Sequence, residues 1–210
     1  MYQLYYAPGT ASLAVHWLLI ELGVPHSLVA VDLENNEHKS PRYLALNPAG
    51  VVPTLVIDGV PHSEAAALVL TLADRHPQAG LAPAPGSAAR AAYYQWAFYG
   101  ANTLQPAFRN WFYPTEAAGA AHAEAVKAQA RDRIEAAFTR IDAHLTAGGP
   151  YVLGAGVTAV DFLLTMLMRW SRAMPRPATE WPAIAAYVAR MKQRDSFAAL
   201  YAREGLTDWT

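Results

Sequence analysis

Apolar and polar residues follow two periods in the first eighty positions and a single period afterwards. Gln3-Leu4-Tyr5-Tyr6 has the build of a short strand, and Ala7-Pro8-Gly9-Thr10 supplies turn chemistry behind it. From Ser12 to Leu22 the spacing becomes helical, with Leu13, Trp17 and Ile20 on one stripe and Gly23 placed to end it. His26 to Asp32 predicts a second strand. A polar segment, Glu34 to Ser40, leads into Pro41-Arg42-Tyr43-Leu44, where Pro41 suits a first helical position. Thr54 to Ile57 and Val60 to His62 flank Asp58-Gly59, the short-turn signal of a hairpin. Ser63 to His76 predicts a helix. The order is β-α-β-α-β-β-α, an α/β unit on a small mixed sheet.

Pro77 to Ser87, rich in Pro, Gly and Ala, reads as a linker, and beyond it the strand signal stops. Ala88 to Phe112 and Glu116 to Leu145 have the composition of long helices, the second broken at Gly148-Gly149-Pro150. Thr158-Ala159-Val160-Asp161 has capping-box form, with Asp as a shorter substitute for the usual Glu, and Val157 and Phe162 are spaced as a hydrophobic staple. That helix should run to about Arg172, followed by Pro182 to Lys192 and Ser196 to Arg203. The expected fold class is therefore α/β plus all-α: residues 1–77 as the first domain, 78–87 as linker and 88–210 as an all-helical domain.

Composition narrows the function classes. The chain is 53% hydrophobic over 210 residues, too apolar for disorder and long enough for a sizeable core. Sixteen basic residues stand against seventeen acidic ones, so no polybasic surface for nucleic acid or anionic lipid is evident. Charges interrupt the apolar runs well short of a membrane span, and the N-terminus lacks the build of a signal peptide, so a cytoplasmic protein is expected. The seven histidines are scattered without metal spacing, and no Walker loop, dinucleotide fingerprint or nucleophile elbow is present. There is no cysteine. The protein has no thiol nucleophile and no redox couple of its own, so any sulfur chemistry must use a sulfur that arrives with a substrate.

The most informative stretch is Asn47-Pro48-Ala49-Gly50-Val51-Val52-Pro53-Thr54-Leu55. A proline just before a strand cannot donate a ladder hydrogen bond. If Val52-Pro53 is cis, the Val52 N–H and C=O turn outward and can dock an extended peptide; if trans, Pro53 simply opens a strand. Ser63-Glu64-Ala65 begins a helix, whose free N–H groups favour a carboxylate while Glu64 can pair with an ammonium; Ser63 can equally be an ordinary N-cap.

Together, Val-Pro-Thr-Leu after Asn-Pro-x-Gly, the Asp-Gly hairpin and Ser63-Glu64 resemble the glutathione-binding half of cytosolic glutathione transferases. The likeness extends over essentially the whole chain and implies a thioredoxin-like N-terminal domain followed by an all-helical one. Tyr6 to Ala14 is similar to the bacterial beta class, and His38-Lys39-Ser40-Pro41-Arg42-Tyr43-Leu44-Ala45-Leu46-Asn47-Pro48 looks more like the phi class. The box at Thr158 to Asp161 is a family mark too. The resemblance implies glutathione as co-substrate, without a metal, against Val52, Pro53, Ser63, Glu64 and Ala65, with His38 and Lys39 meeting its glycine carboxylate. Those two residues also fit a solvated polar loop. Where the family often has a hydroxyl after the Glu stands Ala65, and the amide expected at Val51 is missing.

Departures at the catalytic position matter most. The beta-class cysteine is replaced by Ala11, which excludes protein–glutathione mixed-disulfide chemistry. Thr10, then Ser12, then Tyr6 are the candidates to activate the thiol of glutathione, by a hydroxyl donor at the start of the first helix. Thr10 and Ser12 are also ordinary capping residues, and Tyr6 an ordinary core residue. Tyr99, Gln105, Phe108, Arg109, Phe112 and Trp170 are the candidates to line an apolar co-substrate pocket, although aromatic residues at helical spacing commonly form core. The expected function is conjugation of the glutathione thiolate to a hydrophobic electrophile by a homodimer. The alternatives are a non-catalytic binding or regulatory protein on the same fold and a glutathione-dependent peroxidase.

Overall fold

The computed structural model describes residues 1–209, which divide into two compact units, 1–82 with 192–209 and 83–191. In the first unit a four-stranded sheet has the order β2-β1-β3-β4, from β1 (Tyr2–Tyr6), β2 (His26–Ala30), β3 (Thr54–Ile57) and β4 (Val60–His62). β1 runs parallel to β2 and antiparallel to β3, and β3 and β4 form the expected hairpin. Asp58 and Gly59 both have positive φ, 51° and 88°, as a two-residue hairpin turn with the right twist demands. The Asp58 carboxylate ties this turn to the N-terminal amine and to Arg75.

Helix α1 (Ser12–Glu21) packs against the sheet strand β1 and helix α3 (Ala65–Arg75); the short α2 (Pro41–Leu44) starts from Ser40, whose hydroxyl accepts the Tyr43 N–H. Leu13, Trp17 and Leu18 of α1 are fully enclosed with Leu4 and Leu55 of the sheet. Burial of such side chains does most to hold the unit together, at about 1.5–3 kcal/mol each.

The second unit contains α4 (Ala88–Tyr99), α5 (Gln105–Phe112), α6 (Pro114–Ala118), α7 (Ala123–Gly148), α8 (Ala159–Trp170) and most of α9 (Pro182–Lys192). Two expected long helices are interrupted. Ala88 to Phe112 contains a π-helical segment at Gly100–Leu104, because Pro106 has no N–H to return to the preceding turn. Gly100 lies so close to α8 that a Cβ there would stand 3.1 Å from Leu164 Cδ2. Glu116 to Leu145 is broken at Gly119, whose φ of 74° ends α6 before α7 begins. The capping box ahead of α8 is present: the Asp161 carboxylate accepts the Thr158 N–H at 2.7 Å, the Thr158 hydroxyl at 2.9 Å and the Val152 N–H at 3.0 Å.

The unit boundary differs from the expected 88–210 helical domain at its far end. Helix α10 (Asp195–Glu204) packs on α1 of the first unit. Trp17 Nε1 donates to Ser196 Oγ at 2.8 Å, and Arg194 and Ser196 both bond the Glu21 carboxylate. No helix among the described residues is long and apolar enough to cross a membrane.

Candidate functional site

Strand register alone gathers the candidate residues of the first unit. Tyr5 pairs with Thr54 and Leu55 with His62. Continuing both ladders by one or two residues brings Tyr6, Pro53 and the Ser63-Glu64 corner to one end of the sheet. The loop that carries Thr10 leaves β1 at that same end.

The Val52-Pro53 bond is cis, the first of the two geometries that the sequence leaves open. Around it the loop is held by side chains from the 38–47 segment. Lys39 Nζ donates to the carbonyls of Ala49, at 3.3 Å, and Gly50, at 2.8 Å. The Val51 carbonyl accepts from the Tyr43 hydroxyl at 2.8 Å and from Asn47 Nδ2 at 2.7 Å. Burial pushes the Tyr43 phenol above its ordinary range, against the opposing bonds to Thr54 and Asn47, so it stays a donor at neutral pH. Val52 N–H and C=O make no hydrogen bond among the described residues, and Val52 is half-buried. Val51, where an amide was missing, is exposed. His38 is half-buried and its Nδ1 has no partner. Tyr43 and Asn47 were not among the sequence candidates, although both belong to the phi-like motif.

Glu64, not Ser63, is the residue that precedes α3. It holds φ 70° and ψ 102°, a conformation that costs an L-residue strain, and its side chain does not cap the helix. Glu64 is exposed, Ser63 half-buried and Ala65 buried. No side chain caps the start of α3, so its first-turn N–H groups point outward beside an acidic side chain. This arrangement suits a zwitterion: the helix end takes a carboxylate and the acid an ammonium.

At the start of α1 the three hydroxyl candidates separate. Thr10 is half-buried; its Oγ1 lies 2.7 Å from the Ala7 carbonyl and 2.9 Å from Ser12 Oγ. Ser12 is fully buried, accepts the Ala7 N–H at 3.2 Å and lies 3.0 Å from the same carbonyl. A side chain with no exposed surface cannot touch a ligand, so Ser12 can act only through Thr10 or Ala7. Tyr6 is half-buried with its ring 5.6 Å from that of His16. Beneath them lies a buried group that sequence spacing could not show. Glu204 accepts the Gly9 N–H at 2.8 Å and faces His16 Nδ1 at 2.7 Å, both side chains fully enclosed. It fastens the turn that carries Thr10 to helix α10.

In the second unit the six co-substrate candidates fall into separate groups. Phe108 is completely buried, so it backs a surface rather than lining one. Its ring meets Phe112 at 6.0 Å and Trp170 at 5.7 Å, and Phe112 meets Trp170 at 6.2 Å. Phe112 is 48% exposed and Trp170 half-buried, so these two rings form the accessible face of the cluster. Arg109 is engaged elsewhere, in two bonds to Glu116 at 2.8 and 2.7 Å and over the ring of Tyr113 at 4.2 Å. Tyr99 packs edge-on to Trp96 at 5.4 Å with the Arg140 guanidinium 4.6 Å above its ring. Burial raises its phenol's pKa against the pull of Arg140. Gln105 is half-buried at the start of α5, immediately after the π-helical segment. Among the described residues no three His, Asp or Glu side chains converge as a metal site requires.

A small mixed sheet with a cis-proline loop at its end, followed along the chain by a helical unit, defines a two-unit protein of the thioredoxin-like class. Residues 10–75 match the family described as glutathione S-transferase, N-terminal domain, and residues 124–190 the corresponding C-terminal domain. The chain is 34% identical to glutathione S-transferase GST-4.5 of Xanthomonas campestris pv. campestris, over 97% of this chain and 99% of that one. It is 31% identical to glutathione S-transferase GstA of Escherichia coli O157:H7, over 97% and 99%. A solved glutathione transferase homologue from Sulfitobacter, with bound glutathione, superposes with a TM-score of 0.91 at 30% identity, over 99% of both chains. The chain belongs to the glutathione transferase family.

Proposed function

We propose that this protein is a glutathione transferase that binds glutathione at the end of its sheet and joins the thiolate sulfur to the electrophilic carbon of a hydrophobic compound. The observation that carries the reading is the coincidence, at one sheet end, of an unpartnered Val52 backbone pair with Glu64 at an uncapped helix start. The cysteinyl backbone of glutathione would pair with Val52 beside Pro53. Its γ-glutamyl carboxylate would meet the N-terminus of α3 at Ala65, and its ammonium Glu64, with Ser63 close by. The unpartnered Nδ1 of His38 suits the glycine end.

Thr10 is the hydroxyl that would donate to the sulfur, since it alone of the pair has exposed surface. A donor and a helix start both favour the thiolate over the thiol, which is the chemistry that conjugation needs. Thiolate attack forms the carbon–sulfur bond as the leaving group departs with its electron pair, or as a conjugated double bond accepts the pair. Phe112 and Trp170, with Gln105, are the residues we assign to the hydrophobic partner. A homodimer is also proposed; Tyr94 and Phe98, 40% and 55% exposed one turn apart on α4, are apolar surface of the kind a second copy covers.

A glutathione-affinity column followed by conjugation of an aryl halide tests the reading. Retention with turnover supports it. Retention without turnover favours a binding protein on this fold, and failure to be retained removes glutathione from the site.

A further inference from the structure

Three consecutive carbonyls, of Ala49, Gly50 and Val51, are bonded to side chains of the 38–47 segment, and the next residue, Val52, is the one whose N–H and C=O are left free for a ligand. Asn47 serves the loop twice, since its Oδ1 also accepts the Ala49 N–H at 3.1 Å. Tyr43 and Asn47 are 3% and 2% exposed, so neither has surface left for a ligand. Lys39 is exposed, yet its ammonium is aimed at the loop. Gly50 shows how closely it approaches: with φ 59°, a Cβ there would lie 2.9 Å from the His38 carbonyl and 2.9 Å from Lys39 Nζ. The residue at position 50 is therefore limited to glycine by the same approach that brings the lysine onto the loop.

A backbone pair docks an extended peptide only when both groups stand in register with it, and an error of about 1 Å is enough to lose a hydrogen bond. We propose that Lys39, together with Tyr43 and Asn47, is a positioning residue that fixes the direction of the Val52 N–H and C=O, and that it acts through the loop rather than by pairing with the ligand's terminal carboxylate. The proposal rests on the reading of this sheet end as the glutathione site. It assigns the chemistry of the His38-to-Pro48 motif to the loop's carbonyls, with its lysine, tyrosine and asparagine spaced to reach three of them in turn.

The two modes of action differ in which ligand feels them. Glutathione and γ-glutamylcysteine share the γ-glutamyl and cysteinyl groups, but only glutathione has the glycine carboxylate. Calorimetric affinities for both thiols are measured on the wild type, Lys39→Met, Lys39→Arg and Tyr43→Phe. Positioning predicts that Lys39→Met weakens both thiols by the same factor, about tenfold. Lys39→Arg, which can still donate to two carbonyls, recovers most of the loss. Tyr43→Phe reproduces the equal loss from a residue that no ligand can touch. In steady state the loss appears in the KM for glutathione and not in kcat. A Lys39→Met loss confined to glutathione, with γ-glutamylcysteine bound as before, overturns the proposal in favour of direct carboxylate pairing. A wild type that binds neither thiol overturns the glutathione reading and the proposal with it, so the two failures are distinguishable.

Discussion

Glu64→Gly separates what position 64 costs the fold from what it gives the ligand. The residue holds φ 70° and ψ 102°, outside the regions open to an L-residue, and such a conformation costs about 1–3 kcal/mol. Glycine adopts it freely, at the expense of about 0.5–1 kcal/mol of extra chain entropy in the unfolded state. The side chain makes no capping bond whose loss would offset the gain. The net expectation is a variant more stable by about 1 kcal/mol, or roughly 2–4 °C in Tm for a chain of this size. Glu64→Ala keeps the strain and should melt near the wild type. Both variants lose the carboxylate assigned to the ammonium of glutathione, a charged hydrogen bond at an exposed site, so both should bind glutathione about tenfold more weakly. Differential scanning calorimetry and titration calorimetry on the three proteins read the two effects separately. A glycine variant less stable than the alanine variant refutes the strain argument; unchanged glutathione affinity in both refutes the role of the carboxylate.

Thr10→Ala should lower kcat about 10- to 100-fold with little change in glutathione affinity, measured by aryl-halide turnover at saturating thiol; full activity in that variant would remove Thr10 from the chemistry. Glu204→Ala removes the carboxylate that meets the half-buried Gly9 N–H and the fully buried His16 ring, and should cost about 1–3 kcal/mol in urea unfolding, chiefly at the enclosed imidazole; a loss below about 0.5 kcal/mol would show that water or a neighbour replaces the carboxylate. Two of the groups whose contributions to stability should be lost on acidification are His26 and Glu21. Burial, aided by the charges of His16 and Arg203, lowers the His26 pKa below its ordinary 6.5, despite the opposing bond to the Val24 carbonyl, so folding favours the neutral ring. Its contribution is complete above the unfolded value and disappears as pH falls through the depressed one. Burial would raise the Glu21 pKa, but the bonds from Arg194 and Ser196 outweigh it and hold the carboxyl below its ordinary 4.5, so a second loss follows at lower pH. Urea midpoints across a pH series should show a smaller loss at the acid end in Glu21→Gln, and a smaller loss just below neutrality in His26→Gln, than in the wild type; profiles parallel to the wild type in both variants contradict the two assignments.

How much of the fold is legible in the sequence depends on the range of the signal. The strands, the Asp-Gly turn and the box at Thr158 are set by neighbours within a few residues, and all are where the spacing predicts them. The two interrupted helices had local warnings in Pro106 and Gly119, which a continuous helical composition outweighed. The identity of the α3 cap could not be read, because Ser63 and Glu64 are adjacent and only the backbone conformation decides between them. Glu204 had no local signal: 188 residues separate it from His16, and a single carboxylate near the chain end looks like surface until α10 is seen against α1. Phe108 and Phe112 illustrate the remaining limit. They lie one helical turn apart, yet one is enclosed and the other is 48% exposed, which depends on packing rather than on residue type.

The absence of cysteine takes on a geometric meaning at the start of α1. With Ala11 where a thiol would stand, activation falls to hydroxyls, and two of them share one carbonyl. Thr10 Oγ1 and Ser12 Oγ lie 2.7 and 3.0 Å from the Ala7 oxygen and 2.9 Å from each other. Each hydroxyl has one proton to give. While Thr10 donates to Ala7, its proton is not available to a sulfur. Ser12, enclosed and unable to reach any ligand, can supply the hydroxyl donor to the Ala7 carbonyl, which otherwise keeps only the longer 3.3 Å bond from the Thr10 N–H, and Thr10 is then released to donate outward. Ser12→Ala removes that substitute donor. It should lower kcat although the residue never meets substrate, and it should also cost stability, because the Ala7 N–H loses its acceptor. Ser12→Cys, which keeps a weak donor and acceptor in nearly the same volume, should recover stability more fully than turnover. If Ser12→Ala is destabilised but turns over at the wild-type rate, the two hydroxyls act independently and the exchange of donors at Ala7 plays no part in activating the thiol.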